Sequence, residues 1–154
     1  MHCLQWIEIE QELRKMSNNA GVITFLDYRV VNVEFKLNQE FNGEEEIDLE
    51  INVESDRVIS DDGKQMVVTL KVHVFDDKSE SYPFTMFVEL HGLFELSEEV
   101  DEKNIKQYYT NALAILYPYA RTIVSNYTAS ANIEPVILPT LNIAKMINKD
   151  EKNK

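Results

Sequence analysis

Alternating apolar and polar residues mark four segments between residues 23 and 96 as β-strands. In the last three segments every second residue is apolar, which indicates one buried and one solvated face and therefore an antiparallel sheet. The first segment, 23–37, shifts the phase of its alternation at Val30 and Val31, which predicts a β-bulge there. The apolar positions of the other segments are Ile47, Leu49, Ile51 and Val53, then Met66, Val68, Leu70, Val72 and Val74, then Phe84, Met86, Val88, Leu90, Phe94 and Leu96.

Short polar connectors separate the four segments. They contain the turn-forming runs Asn42-Gly43, Asp61-Asp62-Gly63 and 76–79. Connectors of this length cannot hold a helical crossover, so successive strands are expected to be joined directly. Because helical patterns occur only before and after the strands, the sequence predicts an α+β protein whose four-stranded antiparallel sheet is covered on one face by C-terminal helices.

A long C-terminal helix is predicted from its spacing, and apolar residues surround it almost completely. A helix of a small domain needs only one apolar stripe to cover its sheet. The second stripe is therefore expected to be buried by another copy of the chain. The first stripe comprises Ile105, Tyr108, Ala112, Leu116, Tyr119, Ile123 and Tyr127, and the second comprises Leu113, Tyr117 and Val124.

Arg121 is the only charged residue between Lys106 and Glu134. The favoured interpretation is a partly buried arginine that pairs with a carboxylate across a subunit interface. The alternative is a direct contact with the backbone of a bound polypeptide. Together with the second stripe, Arg121 completes the predicted oligomer interface, which comprises Leu113, Tyr117, Arg121 and Val124.

Prolines shape the rest of this region. Pro118 lies inside the predicted helix and is expected to kink it or to divide it into two pieces, because proline removes one hydrogen bond and crowds the preceding turn. Residues 133–141 are kept extended by two further prolines, yet they are unusually apolar for a loop, so they either pack down or offer apolar surface to a partner. A short final helix is predicted over 142–148.

The N-terminal part has a different pattern. Residues 3–17 predict a short helix, which Asn18, Asn19 and Gly21 end. We divide the chain into an N-terminal extension (1–22), one main domain (23–147) and a polar tail (148–154). The apolar side of the N-terminal helix carries Trp6, Ile9, Leu13 and Met16.

Composition narrows the function classes. The chain has 154 residues, enough for one domain, and 27 acidic against 15 basic residues give a net charge of −12. Nucleic acid and anionic membranes are unsuitable partners for such a surface, because phosphate binding needs clusters of Lys and Arg. The sequence shows neither an apolar run long enough to span a membrane nor a recognisable signal peptide. Its single cysteine, Cys3, cannot form an intramolecular disulfide, which agrees with a reducing compartment. We therefore expect a cytoplasmic protein.

Catalytic chemistry is not predicted. His2, His73 and His91 are scattered and have no metal-ligand spacing, and Cys3 has no neighbouring base. The four glycines form no phosphate-binding loop. We therefore expect no enzyme activity, no metal and no cofactor.

Two C-terminal segments resemble signatures of the SecB family of bacterial export chaperones. Residues 111–125, NALAILYPYARTIVS, are similar to the long-helix signature of that family, and residues 133–143 resemble its proline-bracketed crossover loop, in which Asn142 begins the final helix. The run His91-Gly92-Leu93-Phe94 resembles its Gly-apolar-Phe element. The resemblance covers about residues 23–147.

The resemblance implies a homotetramer, built as a dimer of dimers with the long helices at the tetramer interface. It also implies grooves in which unfolded polypeptides bind without ATP, before preproteins are passed to SecA, the translocase motor. Because a proline-braced loop cannot hide many apolar side chains, we expect clients to bind there and at the final helix. The predicted client-binding residues are Phe87, Tyr119, Ile133, Val136, Ile137, Leu141, Met146 and Ile147.

The sequence departs from the family where SecA is expected to dock. Glu34 occupies one acidic place of the family pattern, whereas Asn38, Thr85 and Phe87 replace other residues of that pattern. Client binding is therefore better supported than handover to SecA. Two alternatives stay open: a chaperone dedicated to one client, such as the antitoxin of a toxin–antitoxin pair, and a carrier of small apolar ligands.

Overall fold

The four predicted strands form one antiparallel sheet, and two helices follow them. The computed structural model describes residues 23–44, 46–76, 82–97, 100–101 and 103–152, and of residues 148–152 only the backbone. The predicted N-terminal helix at 3–17, with its extension 1–22, lies outside the described residues. The elements are β1 (Ile23–Leu37), β2 (Ile51–Ile59), β3 (Gln65–Val74), β4 (Phe84–Leu96), α1 (Ile105–Ser130) and α2 (Ile143–Lys152).

The sheet has the strand order β1-β4-β3-β2, which leaves β1 and β2 at its edges. The face towards α1, called the inner face, carries the apolar side chains that the alternation predicts, and the opposite face is called the outer face. The α+β prediction is confirmed. The buried inner-face residues of the two central strands are Met66, Val68, Leu70, Val72, Val74, Phe84, Met86, Val88, Leu90, Phe94 and Leu96.

The edge strands differ from the predictions in two places. The bulge predicted at Val30-Val31 is confirmed by a register shift between Val30 and Asn32, but a second shift between Phe25 and Asp27 was not predicted. The second strand begins at Ile51, opposite Val74, and not at Ile47. Only one backbone hydrogen bond continues the pairing beyond this point, from the Phe75 N–H to the Glu50 carbonyl at 3.0 Å, so the alternation at 47–50 does not produce a strand.

α1 is a single helix of 26 residues that contains Pro118, so the predicted division into two pieces does not occur. Proline at this position removes the hydrogen bond to the carbonyl of Ala114. Ala114 and Pro118 are both exposed, so water can bind that carbonyl and offset the loss. The helix therefore continues through the proline.

Gly92 allows α1 to approach the sheet closely. A Cβ atom at this position would lie 2.6 Å from Cδ2 of Leu116 and 2.8 Å from Cε2 of Phe94. Both side chains are fully buried and have little room to move. The glycine that the sequence comparison singled out is thus required by packing between β4 and α1.

The second apolar stripe of α1 is buried inside the protomer. Leu113 and Val124 are 0% exposed and Tyr117 is 6% exposed in the single chain. These three side chains therefore do not form the surface at which a partner copy would bind, and the reasoning that required a partner to bury them is wrong. The exposed side of α1 is formed instead by Ala114, Pro118, Thr122 and Asn126.

α2 is longer than predicted. Asn142 caps it, because its side-chain Oδ1 accepts a hydrogen bond from the Lys145 N–H at 3.1 Å. The helical backbone continues to Lys152, so part of the predicted polar tail 148–154 belongs to the helix. Among the described residues, neither helix combines the length and apolar character needed to cross a membrane.

Candidate functional site

The segment between the two helices, residues 131–142, folds back along α1 and is called the crossover loop. Three contacts hold it there. The Tyr117 hydroxyl donates a hydrogen bond to the Pro139 carbonyl, and the Val136 N–H donates to Thr128 Oγ1 at 2.9 Å. Leu138 lies between these two points and is 0% exposed. The loop thus covers the second apolar stripe that the sequence had assigned to an interface.

Although the crossover loop is held against α1 at two points, one of its large apolar side chains remains exposed to solvent. Ile137 is 71% exposed, the largest exposure among the exposed large apolar residues of the described chain. Its neighbours Ile133 and Val136 are half-buried and pack against the core. A side chain of this kind on an anchored backbone can be buried by a partner without a large entropic cost of ordering the loop.

A groove of about 410 Å³ lies between the loop and α1. Arg121 supplies its positive charge, and among the described residues no carboxylate forms a salt bridge with it. The groove therefore combines an apolar wall with one guanidinium and neutral polar groups. It is lined by Pro118, Arg121, Thr122, Ser125, Asn126, Ile137 and Leu138.

Tyr117 keeps its proton over the range in which the protein would act. Burial raises the pKa of its hydroxyl above the ordinary value of 10.0, and the Arg121 guanidinium opposes this shift without cancelling it. The hydroxyl remains a donor to Pro139 at neutral pH, and this contribution to stability is lost only as the pH rises above the ordinary tyrosine pKa.

The predicted client-binding residues in and just before α2 differ in their exposure. Leu141, just before the helix, and Met146 are half-buried and stand beside the core. Ile147 is 2% exposed and belongs to the core, so its assignment to an open groove is wrong. It is buried because α2 packs its apolar side against the rest of the domain, with α1 as its main neighbour.

Tyr119 is half-buried between α1 and β1. Its ring centroid lies 4.3 Å from that of Tyr28 and 5.7 Å from that of Phe25. It does not line the groove beside the loop, where Arg121 and Ile137 meet. Tyr119 mainly packs the edge strand against the helix.

Phe87 lies on the outer face of the sheet. It is opposite Glu34 on β1 and His73 on β3, and its ring centroid is 4.7 Å from the His73 ring. The prediction that Phe87 shares a groove with the crossover loop is therefore wrong. A second groove of about 870 Å³, called the outer groove, contains Phe87, Glu34 and Thr85 and extends around β1 to Tyr127 of α1.

The surroundings of Glu34 and Asn38 bear on the expected acidic docking surface. Lys36 lies beside Glu34 and brings a positive charge into this expected acidic patch. Asn38 donates a hydrogen bond to the Tyr82 carbonyl at 2.9 Å, so its side chain stabilises the chain locally. His73 contacts Asp76 at 3.4 Å and Glu54 at 3.8 Å. No group of three potential metal ligands is found in the described part of the chain.

Sequence reasoning missed Thr128 and Leu138, which anchor the loop. Thr128 is fully buried, and besides accepting from Val136 it donates to the Val124 carbonyl at 2.8 Å. A threonine on an otherwise apolar helix face was the available signal, because a buried hydroxyl needs partners. Leu138, between Ile137 and Pro139, carried no signal of its own.

Replacing Thr128 by Val should loosen the crossover loop without unfolding the domain. The change preserves shape but removes the acceptor of the Val136 N–H, which costs about 1 to 2 kcal/mol. Hydrogen exchange measured by NMR should show the Val136 amide exchanging on the order of tenfold faster. The control is Thr122→Val on the exposed side of α1. Equal protection of Val136 in the wild type and in Thr128→Val would contradict this anchoring role.

Comparison with known protein families gives one match over most of the chain. The family model described as "Preprotein translocase subunit SecB" matches residues 29–154. Protein-export protein SecB of Anaplasma marginale (strain Florida) is 28% identical over 122 residues, which cover 71% of this chain and 70% of that protein. An uncharacterized protein, MJ0357, of Methanocaldococcus jannaschii is 34% identical over 134 residues, 86% of each chain.

A solved structure has the same fold. It is the Mycobacterium tuberculosis Rv1957 SecB-like chaperone in complex with a ChAD peptide from the Rv1956 HigA1 antitoxin. The TM-score is 0.57 at 20% sequence identity, and the match covers 77% of this chain and 90% of that one. The two proteins therefore share the overall fold.

Proposed function

The chain belongs to the SecB family, and from this we propose that it is an ATP-independent holding chaperone that binds apolar segments of unfolded polypeptides. The observation that carries this proposal is the exposure of Ile137, 71%, on a loop held from both sides by α1. An apolar side chain that is held exposed to solvent does not stabilise the free protein, but it can be buried when a partner binds. Membership of a chaperone family also supports a binding role and not a catalytic one.

The physical basis of client binding is burial of area at several points. Removing Ile137 from water would contribute roughly 1.5 to 3 kcal/mol. The half-buried Ile133, Val136 and Met146 would add less. Since each contact is weak, affinity has to come from several segments or several subunits acting together. The net charge of −12 would speed encounters with clients that carry basic residues.

A dedicated chaperone for one client is the second candidate. The exposed apolar surface at the crossover loop is small, with Ile137 as its centre, and a small surface suits a short, defined peptide. The Rv1957 complex shows a peptide from an antitoxin bound to a SecB-like chaperone. A small-ligand carrier is less well supported, because both described grooves are open surface grooves and not enclosed cavities.

An aggregation assay separates these candidates. A denatured, unrelated protein is diluted into buffer with or without the chain, and light scattering is followed without nucleotide. Suppression of aggregation would support a general holding chaperone. Failure with several unrelated clients, together with protection of one protein encoded beside this chain, would support the dedicated chaperone. Failure with all clients would contradict the chaperone proposal.

We further propose a homotetramer built as a dimer of dimers. Two separate surfaces of the protomer support two kinds of interface. One is the exposed side of α1, with Ala114, Pro118 and Thr122, which would border the groove beside Ile137 because Pro118 and Thr122 also line it. The other is the edge of β1, where Val30 and Val31 are 46% and 50% exposed. Arg121 lies next to the first surface and would pair there with a carboxylate of another copy.

A cytoplasmic location stays a prediction from the sequence.

Docking to SecA should be weak or absent. Glu34 is present on the outer face, but Lys36, Thr85 and Phe87 surround it with positive, polar and aromatic groups. A docking surface for a positively charged partner needs several carboxylates that are not neutralised nearby. Calorimetric titration with SecA should show little heat. Tight, salt-sensitive binding that is lost in Glu34→Lys would contradict this prediction and support a full export role.

A further inference from the structure

An apolar row crosses the outer face of the sheet near the beginning of β1. Val58 on β2 pairs with Val67 on β3, and Val67 pairs with Leu93 on β4. Leu26 is the extra residue of the first bulge of β1, beside Asp27, which pairs with Leu93. Val58 is 66%, Leu26 43% and Val67 36% exposed. We call these four residues the outer apolar row.

The outer apolar row lies at the end of the sheet where the N-terminal segment joins β1. Ile23, the first residue of β1, pairs with Leu96, only three positions from Leu93. β1 therefore begins next to the row, and the segment 1–22 is joined to the sheet at this point. Its apolar residues recur at the spacing of one helix face, and they are Trp6, Ile9, Leu13 and Met16.

The length of the predicted N-terminal helix matches the length of the outer apolar row. From Trp6 to Met16 a helix would extend about 15 Å at 1.5 Å per residue. The row spans three gaps between strands, about 14 Å in all. The connection 18–22 can reach about 17 Å when extended. With the helix end near β1, its apolar side can therefore cover the row from Leu26 to Val58.

We propose that the N-terminal segment of this chain docks on the outer apolar row and covers it. A tethered segment competes at an effective concentration in the millimolar range, which favours it over a free partner or a second copy. Charge fits at the end of the segment nearest β1, where Arg14 and Lys15 lie beside Leu13 and Met16, because Asp27 and Glu95 flank the row. The glutamates of the segment, Glu8, Glu10 and Glu12, lie nearer its beginning. The outer face would then be partly occupied by the chain itself.

Trp6 provides a direct test, because it is the only tryptophan of the chain. In the full-length protein its fluorescence should be blue-shifted relative to a free tryptophan derivative and protected from acrylamide. Val58→Glu and Val67→Glu should each red-shift the emission and raise the quenching constant several-fold. Both positions are solvent-accessible, so the fold should survive, which circular dichroism verifies. The matched control is Leu49→Glu, at a 40% exposed residue outside both the row and the proposed interfaces.

Four outcomes would overturn the proposal. The first is a wild-type Trp6 as accessible as the free derivative, and the second is a protected Trp6 that ignores both substitutions in the row. The third is an equal response to Leu49→Glu, which would show that the change in Trp6 is not specific to the row. The fourth is protection that disappears on dilution, which would indicate docking on a second copy. Since the assay uses no client, its result is independent of the proposed chaperone function.

Discussion

Replacing Ile137 by Asp is expected to abolish the protection of denatured clients at concentrations where the wild type protects fully. The substitution removes roughly 1.5 to 3 kcal/mol of apolar burial. It also places a carboxylate where the client would exclude water, which adds a desolvation cost of similar size. Since each 1.4 kcal/mol is tenfold in affinity, client binding should weaken by at least about 100-fold.

This single substitution is sharper than one that also removes Val136. Val136 is half-buried and its side chain packs against the core beside the anchor at Thr128, so changing it would disturb loop packing as well as the surface. Ile137, in contrast, is 71% exposed and contributes little to the fold. Aggregation assays and calorimetry with an unfolded client should therefore report binding alone.

Two control variants make the result decisive. Leu49→Asp places the same charge on another exposed apolar residue, 40% exposed, and should leave protection unchanged. Ile137→Leu keeps the apolar surface and should also protect. Light scattering should show the same assembly state for all variants. If Ile137→Asp protects as well as the wild type, the crossover loop does not bind clients.

The sheet could be predicted from the sequence because its period is local and regular. Alternation placed the inner face of β3 and β4 correctly, since both strands are central and one face of each is fully buried. The same alternation also indicates on which face of the sheet Phe87 lies. It lies between Phe84–Met86 and Val88–Leu90, out of phase with both, and therefore on the outer face. Assigning it to the loop groove neglected a signal that was present.

The crossover loop could not be predicted in the same detail. A loop has no repeat that relates one residue's direction to the next, so an apolar run does not reveal which side chains are buried. Leu138 and Ile137 are neighbours of the same size, yet one is 0% and the other 71% exposed. The difference is decided by hydrogen bonds to Tyr117 and Thr128, which are 22 and 8 residues away from their partners.

The error in the second stripe of α1 has the same origin. Counting apolar stripes assumed that only the sheet covers this helix. The crossover loop is a second cover, and together with the sheet it buries the broad arc from Tyr108 to Val124. The number of apolar stripes therefore does not by itself indicate the number of subunits. Evidence for a tetramer has to come from apolar surfaces that remain exposed on the single protomer.

Replacing Val124 by Asp is accordingly expected to unfold the protomer and not merely to separate subunits. Val124 is 0% exposed, so a carboxyl at this position would lose solvation and its pKa would be raised by several units. Holding it there at pH 7 costs about 4 kcal/mol or more, including the lost packing of valine. Urea unfolding followed by circular dichroism should show a midpoint far below that of the wild type.

The pH dependence identifies the cause. A carboxyl whose pKa is raised in the folded state binds its proton more tightly there than in the unfolded chain. The destabilisation of Val124→Asp should therefore be smallest below about pH 4, the ordinary carboxyl pKa, and should grow as the pH rises towards 7. Val124→Asn, which does not ionise, should lack this trend.

A second substitution on the same helix separates folding from assembly. Thr122 is exposed on the side of α1 that we propose as an interface, so Thr122→Asp should leave the urea midpoint of the protomer nearly unchanged while light scattering shows smaller assemblies. If instead Val124→Asp stays folded and only dissociates, the second stripe does form the interface, as the sequence alone had predicted. Because the two side chains lie on opposite sides of one helix, the pair of variants determines which side binds another copy.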